Sequence, residues 1–146
     1  MRRKTKKRIL VSLLGLVVIA LVFIKLIALS THTRRPSGLI DGELKPCSTS
    51  PNCFSTEGRD GLLFESPEED WQRAQIVLSL MGGTPISIND YYAHYEFTSF
   101  WMGYIDDVQI RQDTSAHALH FRSASRVGYY DFDVNFDRYQ KFREMF

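Results

Sequence analysis

The stretch Arg122-Ser-Ala-Ser-Arg126-Val-Gly-Tyr-Tyr-Asp131 gathers two guanidinium groups, two hydroxyls, a glycine and an acid. An irregular loop feeding a helix N-terminus presents backbone N–H groups to an anion, and arginine forks match a carboxylate or phosphate. Arg122, Ser123, Ser125, Arg126, Tyr129 and Asp131 are therefore candidate contacts for a small anionic ligand or a partner, with His94 added from the polar face of a strand. Arg126, past the expected strand end, is the arginine placed to meet a ligand, and Arg122 the one placed to support the fold. The competing reading is internal: an arginine pairs with Asp131, Asp106 or Asp107 and fixes the loop.

Catalysis can be assembled from the same residues. Ser123 or Ser125 would be the nucleophile and His94 or His120 the base, with Arg122 and Arg126 holding the anion, as in a hydrolase or transferase. No Gly-x-Ser-x-Gly elbow accompanies either serine. Nor does the chain carry a phosphate-binding loop, a dinucleotide fingerprint or a His-Glu-x-x-His motif, and no cofactor is expected. A metal is not expected either. Asp106 and Asp107 are strand neighbours and point to opposite faces, as do His117 and His120, leaving His94 with His120 as the better-placed pair.

These residues need a scaffold, and the pattern around them supplies one. Ser66 can cap a helix, Pro67 suits its first position, and Glu68, Glu69 and Asp70 favour its positive end. Trp71, Ala74, Leu78 and Met81 recur at helical spacing as a buried stripe, and Gly82-Gly83 stops it. Strand-like segments follow at Ile86–Ile88, Ala93–Phe100, Tyr104–Gln112 and Ala118–Ser123, the last three separated by turn signals at Met102-Gly103 and Gln112–Ala116. A second helix is expected from Asp133 or Asn135 to the end, burying Tyr139, Phe142 and Phe146. Alternation puts Tyr95, Phe97, Val108, Ile110, Leu119 and Phe121 on one face of the sheet. His94, Glu96, Thr98, Asp107, Gln109, Arg111, His120 and Arg122 fall on the other. Antiparallel sheets often leave one face in water, so the polar face reads as solvated or as a binding surface.

Ahead of this domain lies a different kind of segment. Arg2, Arg3, Lys4, Lys6, Lys7 and Arg8 precede an apolar run from Ile9 to Leu29, interrupted only by Lys25 near one end. Its 21 residues approach the ~20 that a helix needs to cross a bilayer, so residues 9–29 are expected to meet lipid. Lys25 can reach the headgroups. The basic cluster predicts a cytoplasmic N-terminus, hence a single pass through the inner membrane with everything beyond residue 30 exported. The alternative is a signal peptide cut near Ser30, which would release the domain. Residues 1–35 hold nine of the 18 Lys and Arg and none of the 17 Asp and Glu, leaving −8 on residues 36–146. Such an acidic domain argues against nucleic acid. In an oxidising compartment Cys47 and Cys53 read most simply as a disulfide, with a metal pair or redox couple as rivals.

Three blocks carry a resemblance: Leu44-Lys-Pro-Cys-Ser-Thr-Ser-Pro-Asn-Cys-Phe-Ser55, Tyr104-Ile-Asp-Asp-Val108, and Arg122-Ser-Ala-Ser-Arg-Val-Gly-Tyr-Tyr-Asp-Phe132 followed by Val134-Asn135. They resemble the signature blocks of the bacterial and plastid family called domain of unknown function 1499, over essentially all of residues 39–146. The resemblance implies an envelope or lumenal α+β domain and brings no activity with it. Asp133 stands where a small residue is expected and Phe136 where a basic one is, which weakens an anion site reaching into the last helix.

The expectation is thus an α+β fold: an antiparallel β-sheet meander with two main helices packed on one face, preceded by one N-terminal transmembrane helix. Residues 1–29 form the anchor, 30–38 a linker and 39–146 the exported domain. Its expected role is a non-catalytic envelope module that binds an envelope protein or small ligand, the alternative being the hydrolase or transferase above.

Overall fold

The computed structural model describes residues 2–146, with side-chain environments from residue 4 onward; the side chains of Arg2 and Arg3 in the basic cluster lie outside the described residues. One helix, α1 (Arg2–Thr31), takes in the whole apolar run. It is long and apolar enough to cross a membrane, and its apolar side chains stand outside the protein core except near its end, where Ala28 is buried.

Beyond α1 come a small hairpin of β1 (Leu39–Ile40) and β2 (Glu43–Leu44), then β3 (Cys53–Ser55), β4 (Leu62–Leu63), α2 (Pro67–Leu80), β5 (Thr84–Ile88), β6 (Tyr92–Thr98), β7 (Ile105–Asp113), β8 (Ala118–Ser125) and α3 (Val134–Met145). Strands β5 to β8 form the expected meander. β3 and β4 add to it, both pairing antiparallel with β8, so the sheet has six strands in the order β3-β8-β7-β6-β5 with β4 beside β3 on the β8 edge. Neither strand is announced by alternation, because each is only two or three residues long. Gly61 lets the chain run close to β8: a Cβ there would stand 2.8 Å from the Leu119 carbonyl oxygen.

The core lies between the apolar sheet face and the two helices. Trp71, Ala74, Val77 and Leu78 from α2 and Tyr139 and Phe142 from α3 meet Ala93, Tyr95, Val108, Ile110, Leu119 and Phe121. The α2 ends follow the local chemistry with one substitution of role. Ser66 is the N-cap residue but its side chain makes no capping bond. Buried Asp70 instead accepts the Glu65 and Ser66 N–H groups at 2.8 and 3.0 Å. At the other end, Gly82 at φ +94° lets the Gly82 and Gly83 N–H groups close back on the Ser79 and Leu78 carbonyls.

The second sheet face departs from expectation. It is not a solvated surface: His94, Asp107, Gln109, Arg111, His120 and Arg122 are all buried. The end of α1 and the chain from 39 to 57 cover it. Leu44, 1% exposed, packs over β7 and β8, and Ala28 and Thr31 are buried at the end of α1. Period-two alternation reports which residues share a face; it carries no information about a cover supplied from elsewhere in the chain.

Candidate functional site

The residues singled out from the sequence divide between the two sheet faces. Arg122 and Ser123 lie in β8, as the expected strand Ala118–Ser123 had them, and Ser125 joins them because β8 runs two residues further. Arg122 therefore shares the polar face with His94 and His120, while Ser123 and Ser125 point beneath α3. A serine and a histidine from this set stand on opposite sides of one sheet.

On the polar face, Arg126 is the hub. Its Nε donates to Asp107 Oδ2 at 2.8 Å, and one terminal nitrogen donates to Asp107 Oδ1 at 2.6 Å and Glu96 Oε1 at 2.5 Å. The other terminal nitrogen donates to the Thr31 carbonyl oxygen, in the last turn of α1, at 2.7 Å. The side chain is 1% exposed. A guanidinium on a helix C-terminus also meets the negative end of the helix dipole. His94 Nε2 lies 2.7 Å from Asp107 Oδ1 in the same cluster. Burial pushes the Asp107 carboxyl up, but the bonds from Arg126 and His94 outweigh it and hold Asp107 below the usual carboxylate range. Burial raises Glu96 likewise, and Arg126 and Arg35 bring it down. Arg126 in turn is raised, first by its bond to Asp107.

Further along the same face, Arg111 makes a two-point contact with Glu57, at 2.6 and 3.2 Å, and reaches Asp113 at 3.2 Å. Burial raises Glu57, and Arg111 with the Leu44 N–H reverses the direction, so its carboxyl ends below its ordinary value. His120 Nδ1 lies 3.2 Å from the Thr56 carbonyl.

Arg122 sits between these two clusters and differs from both of its arginine neighbours. It is 8% exposed and has no carboxylate at ion-pair distance among the described residues. It donates to Gln109 Oε1 at 3.1 Å, and Gln109 donates onward to the Tyr92 hydroxyl at 2.6 Å. Its Nε is buried without a hydrogen-bond partner among the described residues. Burial lowers its pKa, opposed by the charge of Asp107 and by Tyr92. A buried arginine is ordinarily paired, which makes this one the least satisfied group of the site.

Beneath α3, Asn135 plays the organising part. Its Nδ2 donates to the Asn52 carbonyl, Ser125 Oγ and Asp131 Oδ2 at 2.9, 3.0 and 2.6 Å, and its Oδ1 accepts from Ser123 Oγ and Arg138. Arg138 continues to Asp106 at 2.8 Å. Asp131 also caps α3, its Oδ2 accepting the Asn135 N–H. Asp133, where a small residue is expected, takes φ +63°, a conformation that favours glycine. Tyr129 is 73% exposed, apart from both clusters. Cys47 and Cys53 form a disulfide with a Cα separation of 5.6 Å. A cleft of about 300 Å³ beside it is lined by residues including Glu43, Phe54, Glu57 and Arg59, and by neither Arg122 nor His94.

Sequence reasoning missed Asn135, Asn52, Arg138 and Glu57 as partners. Asn135 was visible only as the end of a signature block and as a possible start of the last helix. Glu57 and Asn52 lie in segments without periodicity, so nothing local marks them. A six-stranded antiparallel sheet with helices on one face, a polar second face closed by the end of an apolar N-terminal helix, and a disulfide on its edge strand define an α+β domain behind a candidate membrane anchor. Residues 43–146 match the family described as protein of unknown function (DUF1499), and the chain belongs to that family. No curated protein matches it.

Proposed function

We propose that the protein is a membrane-anchored envelope module whose domain of residues 39–146 binds a partner or small anionic ligand and performs no catalysis of its own. In this reading α1 crosses the inner membrane through residues 9–29 with its basic N-terminus in the cytoplasm, and the domain stands on the other side, where the Cys47–Cys53 disulfide is at home. The observation that carries the proposal is the contrast between Arg126 and Arg122. Arg126 is saturated by Asp107, Glu96 and the Thr31 carbonyl, so it joins sheet to anchor. Arg122, buried with no hydrogen-bond partner for its Nε and no carboxylate at ion-pair distance among the described residues, retains capacity for an anion or a partner's carboxylate. The separation of Ser123 and Ser125 from His94 and His120 by the thickness of the sheet favours binding over the hydrolase or transferase alternative.

The test pairs Arg122→Met with the full-length chain in detergent, using inorganic phosphate and a dicarboxylate as probes. An anion that binds the native state raises the unfolding midpoint as its concentration rises. The wild type is expected to show this shift and Arg122→Met to lack it, with a loss of stability in the absence of anion no larger than the ~1–3 kcal/mol of one buried acceptor, Gln109 Oε1, left without its donor. A variant that unfolds much earlier without anion would make Arg122 structural and remove the ligand site. A reporter active only outside the cytoplasm, fused after Phe146, is expected to be active; an active cytoplasmic reporter there would overturn the orientation.

A further inference from the structure

Phe100 and Trp101 are the most exposed large apolar side chains of the domain, at 89% and 82%, and Met102 beside them is also exposed. They form the tip of the β6–β7 hairpin. The tip is well built: the Ser99 N–H donates to the Tyr104 carbonyl, the Gly103 N–H to the Ser99 carbonyl and the Tyr104 N–H to Ser99 Oγ. Gly103 at φ +77° closes the turn. The aromatic rings contribute nothing to that closure; they touch each other, edge to face, with centroids 5.2 Å apart. A structured turn that spends two aromatics and a methionine on its outer surface has an apolar or interfacial surrounding to meet.

The position of the tip identifies that surrounding. Lys25 Nζ donates to the Trp101 carbonyl at 3.0 Å and to the Met102 carbonyl at 3.4 Å. Lys25 lies inside the apolar run, one turn or about 6 Å along the helix before Leu29. The polar interfacial layer on each side of a bilayer is itself only ~5–8 Å deep. Arg126 on the Thr31 carbonyl, and buried Ala28 and Thr31, hold the sheet against this end of α1. Whatever medium surrounds Lys25 and Leu29 therefore also surrounds Phe100 and Trp101. Trp is, with Tyr, enriched at the headgroup level.

We infer that the Phe100-Trp101-Met102 tip is a second membrane contact, seated in the interfacial layer of the same bilayer that α1 crosses. The inference rests on the membrane-anchored reading above. With α1 it gives the domain two attachment points, which fix its tilt and rotation over the bilayer. The Lys25 ammonium, which would otherwise seek headgroup phosphates, is met by two carbonyls of the turn. Tyr129, Tyr130 and Phe132 are exposed at the same end of the sheet, but Asp131 and Asp133 lie among them, so the contact is assigned to the hairpin alone.

The experiment uses the full-length chain in phosphatidylethanolamine–phosphatidylglycerol vesicles doped with phosphatidylcholine brominated high on its acyl chains. The chain has two tryptophans; Trp71, on α2, is buried in the core and is expected to be spared. Bromolipid is expected to remove on the order of half of the Trp101 emission, as befits an interfacial indole, and Trp101→Phe, a change at an exposed site, to abolish the quenching. Flotation with the vesicles tests the anchor separately: a chain that does not float refutes the anchored reading, whereas one that floats with unquenched, water-exposed Trp101 overturns this inference alone. Trp101 emission that is shielded only at high protein density, without bromine quenching, would assign the tip to a second copy and equally overturn it. Tyr129→Ser with Phe132→Ser is expected to leave the quenching unchanged; its loss there would refute the assignment to the hairpin.

Discussion

The two faces of the central sheet are buried by opposite means. Against α2 and α3 the contact is mainly apolar, with Phe121, Leu119, Ile110 and Val108 fully buried, and the Ser123–Asn135–Arg138 network is its polar part at the start of α3. On the other face the same strands bury His94, Asp107, Arg111, Arg122 and their partners beneath the end of α1 and the strap from 39 to 57. Apolar burial is non-directional and is satisfied by filling volume. Buried charge is stabilising only where each group meets its partner in good geometry. The helix face thus supplies bulk stability, whereas the strap face couples stability to the position of particular atoms, among them the Thr31 carbonyl of α1.

Substitutions should separate the two modes. Arg126→Ala removes one partner from a buried cluster and is expected to cost about 3–5 kcal/mol, as much as Phe121→Ala on the apolar face, about 3–5 kcal/mol. The two should differ in acid. Asp107, Glu96 and Glu57 all lie below their ordinary values in the folded state. Their contribution is complete above the unfolded carboxylate pKa, ~4, and is lost as pH falls from there through the folded values. Stability measured by denaturant titration should therefore fall steeply below about pH 4 in the wild type and in Phe121→Ala, and less steeply in Arg126→Ala. Parallel acid limbs in all three would remove the cluster from the account.

A smaller effect is expected at the strap's edge. Replacing Cys47 and Cys53 by Ser opens a short loop beside β3, worth roughly 2 kcal/mol on the chain-entropy description. A larger loss would mean that the strap itself depends on the bridge. Smallest of all should be Arg35→Ala: its ion pair with Glu96 lies at 2.9 Å but its side chain is 56% exposed, and exposed pairs contribute under ~1 kcal/mol. A loss comparable with Arg126→Ala would show that the exposed rim, not the buried hub, holds α1.

The apolar mode was the more legible in the sequence. The α2 stripe, the four meander strands and the division of side chains between faces follow from periods of 3.6 and 2, and the resemblance rested on blocks that the family match covers from residue 43 on. The strap face was half legible. Alternation grouped His94, Asp107, Gln109, Arg111, His120 and Arg122, but what covers them is set by contacts between residues far apart, such as Arg126 with Thr31 and Arg111 with Glu57. Arg122 and Ser123 already lay in the expected strand Ala118–Ser123, whose alternation sends them to opposite faces, so they could not serve one site; β8 runs on to Ser125, two residues past the expected end, and carries Ser125 to the side of Ser123.

The central claim is that Arg126 fixes the domain on the end of α1. All cysteines of the chain are in the disulfide, so Leu29→Cys on α1 and Ser115→Cys beyond the far end of β7 can be spin-labelled selectively in the full chain held in lipid nanodiscs. The distance distribution between the two labels, measured by pulsed electron paramagnetic resonance, is the direct test. A single narrow distribution that broadens when Arg126→Ala is added is the predicted result. A broad distribution in the chain with Arg126 intact would contradict the claim.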